Sequence, residues 1–190
     1  AGRSRVFDIV GDGGGCVTLQ GLIVTGGGAP AGGFGGGILC EGVCVEMRGC
    51  SVTGNSSPAG GGGLYADFGC PSLTVVNTAF IGNQSVFGGG GVGSAADVST
   101  FTNVTFGRNT SEDDGGGLEL GSLNTTTLTN CTISENTADV EGDGTGNGGG
   151  LYWPSGTVTF NNTVIAGNFD TPGNAGSGTL HPDASTLSGL

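Results

Sequence analysis

Asp139, Glu141 and Asp143 alternate along the chain, Gly144 follows at once, and Asn147 stands close behind. Alternating oxygen ligands with a glycine at the sixth place resemble the start of a Ca²⁺-binding loop. Ca²⁺ takes six to eight oxygens, so Asp139, Glu141, Asp143 and Asn147 would need help from backbone carbonyls. The bidentate Glu that closes an EF-hand at the twelfth place is absent, because Gly150 stands there. Calcium is therefore the one cofactor the sequence suggests, at extracellular-grade affinity, and none is required. A second acidic pair, Asp113-Asp114, falls where a polar turn belongs and reads as solvated. The single histidine, His181, lies near the end of the chain, so no Ser-His-Asp or Cys-His set can be assembled around it.

The six cysteines carry redox rather than metal chemistry. No C-x-x-C pair exists, which argues against zinc. Cys16 and Cys44 hold the same place in consecutive repeats, so neighbouring strands would bring them into disulfide range. Cys40 and Cys70 lie near one corner of adjacent repeats and form a second candidate bridge. Cys50 and Cys131 share a column three repeats apart, roughly 14 Å by strand spacing, and are expected as buried thiols. Two bridges would indicate an oxidising compartment.

Seven N-x-[ST] sequons occur, at Asn55, Asn83, Asn103, Asn109, Asn124, Asn130 and Asn161. A glycosylated Asn must be exposed. Asn124, just before a strand, and Asn161, of outward parity, are the better glycan sites. The others fall in columns expected to form side-chain ladders. Threonines also recur on one strand face, at Thr74, Thr100, Thr127 and Thr159, giving a regular hydroxyl and methyl array. Such an array suits ice, although Thr is also simply a good exposed strand residue.

All of these residues depend on a repeat for their positions. A short β-rich run ends at Gly27, Asn55, Asn83, Asn109, Asn136 and Asn168, and three glycines and an aliphatic residue follow the polar turn after each of the first five. The aliphatics are Ile38, Leu64, Val92, Leu118 and Leu151. A period near 27 residues means a repeat architecture. Three places before each run end stand Val24, Val52, Phe80, Phe106, Ile133 and Ile165. Eight places before stand Leu19, Met47, Val75, Phe101, Leu128 and Phe160. Residues nine places before are mostly Thr, which gives the apolar-in, polar-out alternation of a half-buried strand.

The parity breaks six places before the run end, at Gly21, Gly49, Asn77, Asn103, Asn130 and Asn162. Asn and Gly tolerate the left-handed backbone of a corner. Asn77, Asn103, Asn130 and Asn162 would stack at the strand spacing and bond up the axis as a ladder, and the run-end Asn column offers another. The glycine triplets mark a face where backbone must approach backbone closely. Each coil then holds three short strands joined by corners. The fold class is all-β: a single-stranded right-handed parallel β-helix (β-solenoid) of about six to seven coils of roughly 27 residues, right-handed because parallel crossovers are. One domain covers 1–190, with regular coils over about 6–170 and an irregular tail, or the start of a further coil, over 171–190.

Particular segments carry a family likeness. Phe80-Ile81-Gly82-Asn83 and Phe106-Gly107-Arg108-Asn109 fit an F-x-x-N pattern, and Gly62-Gly63-Leu64 and Gly116-Gly117-Leu118 fit a G-G-aliphatic pattern. With Leu128 to Asn136, they resemble the right-handed β-helix repeats of bacterial and algal surface proteins, including chlamydial polymorphic outer-membrane proteins. The resemblance implies extracellular display, adhesion or a structural role, and no shared catalytic set. Pectate-lyase-type chemistry would want a base near clustered acids, and polygalacturonase-type chemistry would want paired Asp near a G-H-G segment. Neither arrangement is legible here.

Composition narrows the partners. Sixteen acids stand against four arginines and no lysine, for a formal charge of −12. The arginines are scattered, so there is no basic stripe for nucleic acid. No apolar run is long enough to cross a bilayer, and no secretory leader is legible in the opening Ala1-Gly2-Arg3-Ser4-Arg5. The expected protein is a non-enzymatic extracellular or cell-surface module, structural or adhesive. It would stack end to end or form part of a longer chain, and it would meet glycans or a surface receptor. A carbohydrate-binding or polysaccharide-cleaving β-helix is the alternative, for which Tyr65, Phe68, Tyr152 and Trp153 offer a sparse aromatic platform. Ice binding through the Thr array is the third reading.

Overall fold

The computed structural model describes residues 4–12, 14–142, 146–170 and 183–185, and every regular element among them is a strand. The first winding carries β1 (Phe7–Val10), β2 (Cys16–Gln20) and β3 (Ile23–Thr25). The second carries β4 (Ile38–Glu41), β5 (Cys44–Arg48), β6 (Ser51–Thr53) and β7 (Ser56–Ser57). The third carries β8 (Leu64–Ala66), β9 (Ser72–Val76), β10 (Ala79–Ile81) and β11 (Gln84–Ser85). The fourth carries β12 (Val92–Ser94), β13 (Val98–Thr102), β14 (Thr105–Gly107) and β15 (Thr110–Ser111). The fifth carries β16 (Leu118–Leu120), β17 (Thr125–Thr129), β18 (Thr132–Ser134) and β19 (Thr137–Ala138). The sixth carries β20 (Leu151–Tyr152), β21 (Thr157–Asn161), β22 (Val164–Ala166) and β23 (Phe169–Asp170), and β24 (Ala184–Ser185) follows.

Every pairing is parallel and joins a strand to its counterpart one winding on. Sheet I runs β1-β4-β8-β12-β16-β20-β24 and sheet II runs β2-β5-β9-β13-β17-β21. Sheet III runs β3-β6-β10-β14-β18-β22 and sheet IV runs β7-β11-β15-β19-β23. A complete coil thus has four strands, not three. The extra one is the two-residue strand after the run-end Asn. Its second residue, Ser57, Ser85, Ser111 or Ala138, is buried and small. β24 adds a seventh strand to sheet I, while the Thr179-Leu180 segment lies outside the described residues.

The interior is built from columns. Val24, Val52, Phe80, Phe106 and Ile133 are fully buried one above another in sheet III. The Phe80 and Phe106 rings stack with centroids 5.5 Å apart, and Phe101 meets Phe106 edge-on at 5.4 Å. Offset and edge-on contacts of this kind add about 1 kcal/mol each beyond area burial. Ser99 and Thr126 interrupt the apolar column of sheet II. Each brings its own partner: the Ser99 hydroxyl shares a hydrogen bond with Ser94 at 2.9 Å, and Thr126 donates to Asn124 at 3.0 Å.

The corner column is as the sequence predicts. Gly21, Gly49, Asn77, Asn103, Asn130 and Asn162 all have positive φ. The side chains there are exposed and pair two by two, Asn103 to Asn77 at 2.9 Å and Asn162 to Asn130 at 2.7 Å. The continuous ladder is the other one. Asn55, Asn83, Asn109 and Asn136 each donate Nδ2–H to Oδ1 of the next Asn, at 2.9–3.0 Å, ending on Asn168. The second Nδ2–H of each goes to a backbone carbonyl of the preceding winding, and each Oδ1 also accepts a backbone N–H. No polar atom of these buried amides is left over. Asp183 ends the column, its Oδ1 accepting both N–H and Nδ2–H of Asn168.

The glycine triplets let windings close on each other. The first glycine takes positive φ, as at Gly61 and Gly89. The second and third leave no space for a side chain: a Cβ on Gly63 or Gly91 would lie 2.5 Å from the carbonyl oxygen of Gly91 or Gly117.

Candidate functional site

Outward positions on sheet I form a column one residue past each inward aliphatic. In register it reads Leu39, Tyr65, Gly93, Glu119 and Tyr152. The two aromatics are three windings apart, as their spacing predicts. Between them the column drops to a glycine, and a cleft lies alongside, lined by residues of sheet I and of the turns that follow its strands. Its volume is about 250 Å³, and Tyr65, Phe68, Ala95, Glu119, Ser122 and Pro154 are among its walls.

Two glycines make room for the side chains of this cleft. A Cβ on Gly93 would lie 2.8 Å from Cδ2 of Tyr65, so the tyrosine ring covers the space a side chain would fill. On its other side the ring stacks on Phe34 with centroids 4.4 Å apart. Gly88 does the same for Glu119, whose carboxylate lies directly against its α-carbon. Phe68, 70 % exposed, stands at the mouth.

The carboxyls differ sharply in their partners. Asp114 accepts hydrogen bonds from the backbone N–H and Nδ2–H of Asn147 at 2.8 and 3.2 Å, and from the Tyr152 hydroxyl. Burial still raises it to about 6, with the charge of Asp113 adding to the rise. Glu119 has no hydrogen-bond donor among the described residues. Burial, then the charges of Asp114 and Asp113, push it up to about 8. Burial likewise raises the phenols: Tyr65 to about 12, with help from Asp67 and Glu119, and Tyr152 to about 12, with help from Asp114. No described cation relieves this group. Arg5 pairs with Asp8, Arg48 with Glu46, and Arg108 with Glu135.

Several expected sites look different in space. Asp113-Asp114 is not a solvated turn. It is half-buried, and Asn147, expected as a calcium ligand, is the residue that holds Asp114. Asp139 is fully buried, and Glu141 hydrogen-bonds Glu112, whose acidity is weakened first by burial and then by that contact. Asp143 lies outside the described residues, and so does His181. Among the described residues no group of three or more His, Cys, Asp or Glu is arranged to hold a metal ion.

Cys16 and Cys44 are joined by a disulfide, with Cα atoms 4.5 Å apart. Cys40 and Cys70 are not joined. The register of β4 with β8 sets Cys40 opposite Ala66, and the Cys70 thiol donates instead to the Cys40 carbonyl at 3.1 Å. Burial raises both thiols, Cys40 most strongly. Cys50 and Cys131 are buried thiols, as their separation predicts. Asn124 is a poor glycan site after all: it is buried, and it donates to the Ser94 carbonyl at 3.1 Å and accepts from Thr126. Asn161 is exposed, and so are Asn103 and Asn130. Of the aromatic platform, Tyr65 and Phe68 line the cleft. Tyr152 is buried on Asp114, and Trp153 turns to Phe160 at 6.1 Å. The residue the sequence reading missed is Glu119. The one signal for it was an acid directly after a glycine-triplet leucine, where earlier windings carry Leu39, Tyr65 and Gly93.

A family model described as right handed beta helix region matches residues 9–165. Searches of curated proteins and of solved structures gave no match.

Proposed function

Given that the chain belongs to the right-handed β-helix family, we propose that it is an extracellular adhesive module that binds a saccharide in the cleft between Tyr65, Phe68 and Glu119. The observation that carries this is the cleft wall, where the Tyr65 ring, fixed by Phe34, and the exposed Phe68 stand beside Glu119, a carboxyl with no hydrogen-bond donor among the described residues. A sugar ring offers an apolar face for stacking and hydroxyl donors for such a carboxyl. The disulfide between Cys16 and Cys44 suits an oxidising compartment. The resemblance of the F-x-x-N and G-G-aliphatic repeats to chlamydial outer-membrane repeats supports display at a cell surface.

Binding suits the site better than cleavage. Hydrolysis of a glycosidic bond takes two carboxyls working across it. Here Asp114 is held by Asn147 and Tyr152, which leaves Glu119 alone. A glycan microarray tests the reading. The wild-type protein retains a saccharide class, and Tyr65→Ala loses it. No retention, or retention that Tyr65→Ala leaves intact, contradicts it.

A second reading rests on sheet II. Thr74, Thr100, Thr127 and Thr159 pair in register on its outer face, flanked by Thr102 with Thr129 and Thr125 with Thr157. Rows about 4.8 Å apart present hydroxyls and methyls in a flat lattice suited to ordered water. Thermal hysteresis of the purified chain supports ice binding, and its absence rejects it.

A further inference from the structure

Among the described residues the cleft is lined by an acid, Glu119, and by no cation. The charges of Asp67, Asp113 and Asp114 act on Glu119 or on the phenols of Tyr65 and Tyr152, which burial already raises. The sequence has no lysine, and each described arginine is paired with an acid elsewhere. Glu119 lines the cleft with no hydrogen-bond donor among the described residues, beside the Tyr65 ring and the exposed Phe68. A carboxylate next to aromatic faces is the chemistry that receives an ammonium group, by a charge-assisted hydrogen bond and by cation–π attraction.

We infer that the cleft selects amino sugars carrying a free ammonium group, with Glu119 as the counter-ion and the Tyr65 and Phe68 rings as the apolar wall. This rests on the saccharide reading above and narrows it to a cationic class. Uronic acids are disfavoured, because the charges of Asp113 and Asp114 that already raise Glu119 would also oppose a second carboxylate. Because Glu119 is held protonated near neutral pH in the empty cleft, arrival of the ammonium drives its proton off to solvent. Binding at pH 6, well below the Glu119 value of about 8, therefore releases up to one proton per ligand.

Calorimetry at pH 6 in two buffers of different ionisation enthalpy tests this, using a glucosamine tetramer, its fully N-acetylated counterpart, and ethanolamine. The glucosamine tetramer should bind about tenfold or more tighter than the acetylated one, with proton release. Glu119→Gln should remove both the preference and the release. This substitution keeps shape and removes charge, and a melting curve confirms that the variant folds. Equal binding of the two tetramers, lost in Tyr65→Ala, overturns the cationic selection while leaving the saccharide reading in place. No binding of either tetramer overturns the selection, and the microarray then decides separately whether any saccharide binds. Ethanolamine binding as tightly as the glucosamine tetramer overturns the sugar part. Binding of the glucosamine tetramer that survives Glu119→Gln unchanged overturns the role of that carboxyl.

Discussion

Glu119 makes the protein's stability depend on pH in a definite direction. Its folded value of about 8 lies well above the ordinary glutamate value of about 4.3. Between those values the folded chain holds a proton that the unfolded chain has lost. Stability therefore falls as pH rises through that window, by at most about 1.4 kcal/mol per pH unit. Asp114 adds a smaller fall in a lower window that ends near 6. Melting curves should show a lower Tm at pH 8.5 than at pH 5.5, and Glu119→Gln should flatten most of the slope above pH 6. A Tm that rises with pH would contradict the assignment. The Asn column belongs to the same scale. Asn109→Ala leaves the N–H and Nδ2–H of Asn83 without acceptors. Two buried orphan donors cost about 2–6 kcal/mol together, to be read from equilibrium denaturation.

At the scale of elements, the glycines make two different demands, and substitution separates them. Gly82 has positive φ and open space where a Cβ would stand. Gly82→Ala should cost about 1–2 kcal/mol of backbone strain. Gly90 has no positive φ, but a Cβ there would overlap the carbonyl oxygens of Thr110 and Gly116 in the next winding. Gly90→Ala should cost about 3 kcal/mol or more, because two windings must part. Chemical denaturation of the two variants orders them, and equal costs would contradict the distinction. Much of this layer was legible beforehand. The inward columns, the left-handed corner at Asn77 and its equivalents, and the glycine face all follow from parity and period. The direction of the run-end Asn was harder, because Asn suits both a left-handed corner and an inward ladder. The residue before it decides: Gly26, Gly54, Gly82, Arg108, Glu135 and Gly167 take the positive φ, and this frees the next side chain to turn inward. The two-residue strands of sheet IV stayed hidden because two residues carry no periodicity. Glu119 stayed hidden because Gly88, Gly93 and Tyr65, which shape its surroundings, come from other windings and meet it only through register.

The whole molecule is a stack in which each winding touches only its neighbours, so perturbations should remain local. The disulfide ties the first winding to the second across a separation of 28 residues. Reducing it should remove about 3 kcal/mol from those windings. Hydrogen exchange should then quicken in β2 and β5 and stay unchanged in β13 and β17. Uniform quickening would mean that the stack melts as one unit. The same locality confines function to a small set of windings: the cleft draws on β8, β12 and β16 and the turns that follow them, together with Pro154 after β20. Amide chemical-shift mapping of the folded protein, titrated with the glucosamine and N-acetylglucosamine tetramers, tests the saccharide account most directly. The account predicts shifts concentrated at Tyr65 to Phe68, Ser94, Ala95 and Glu119 to Ser122. Shifts confined to the threonine face of sheet II, or none with either sugar, would contradict it.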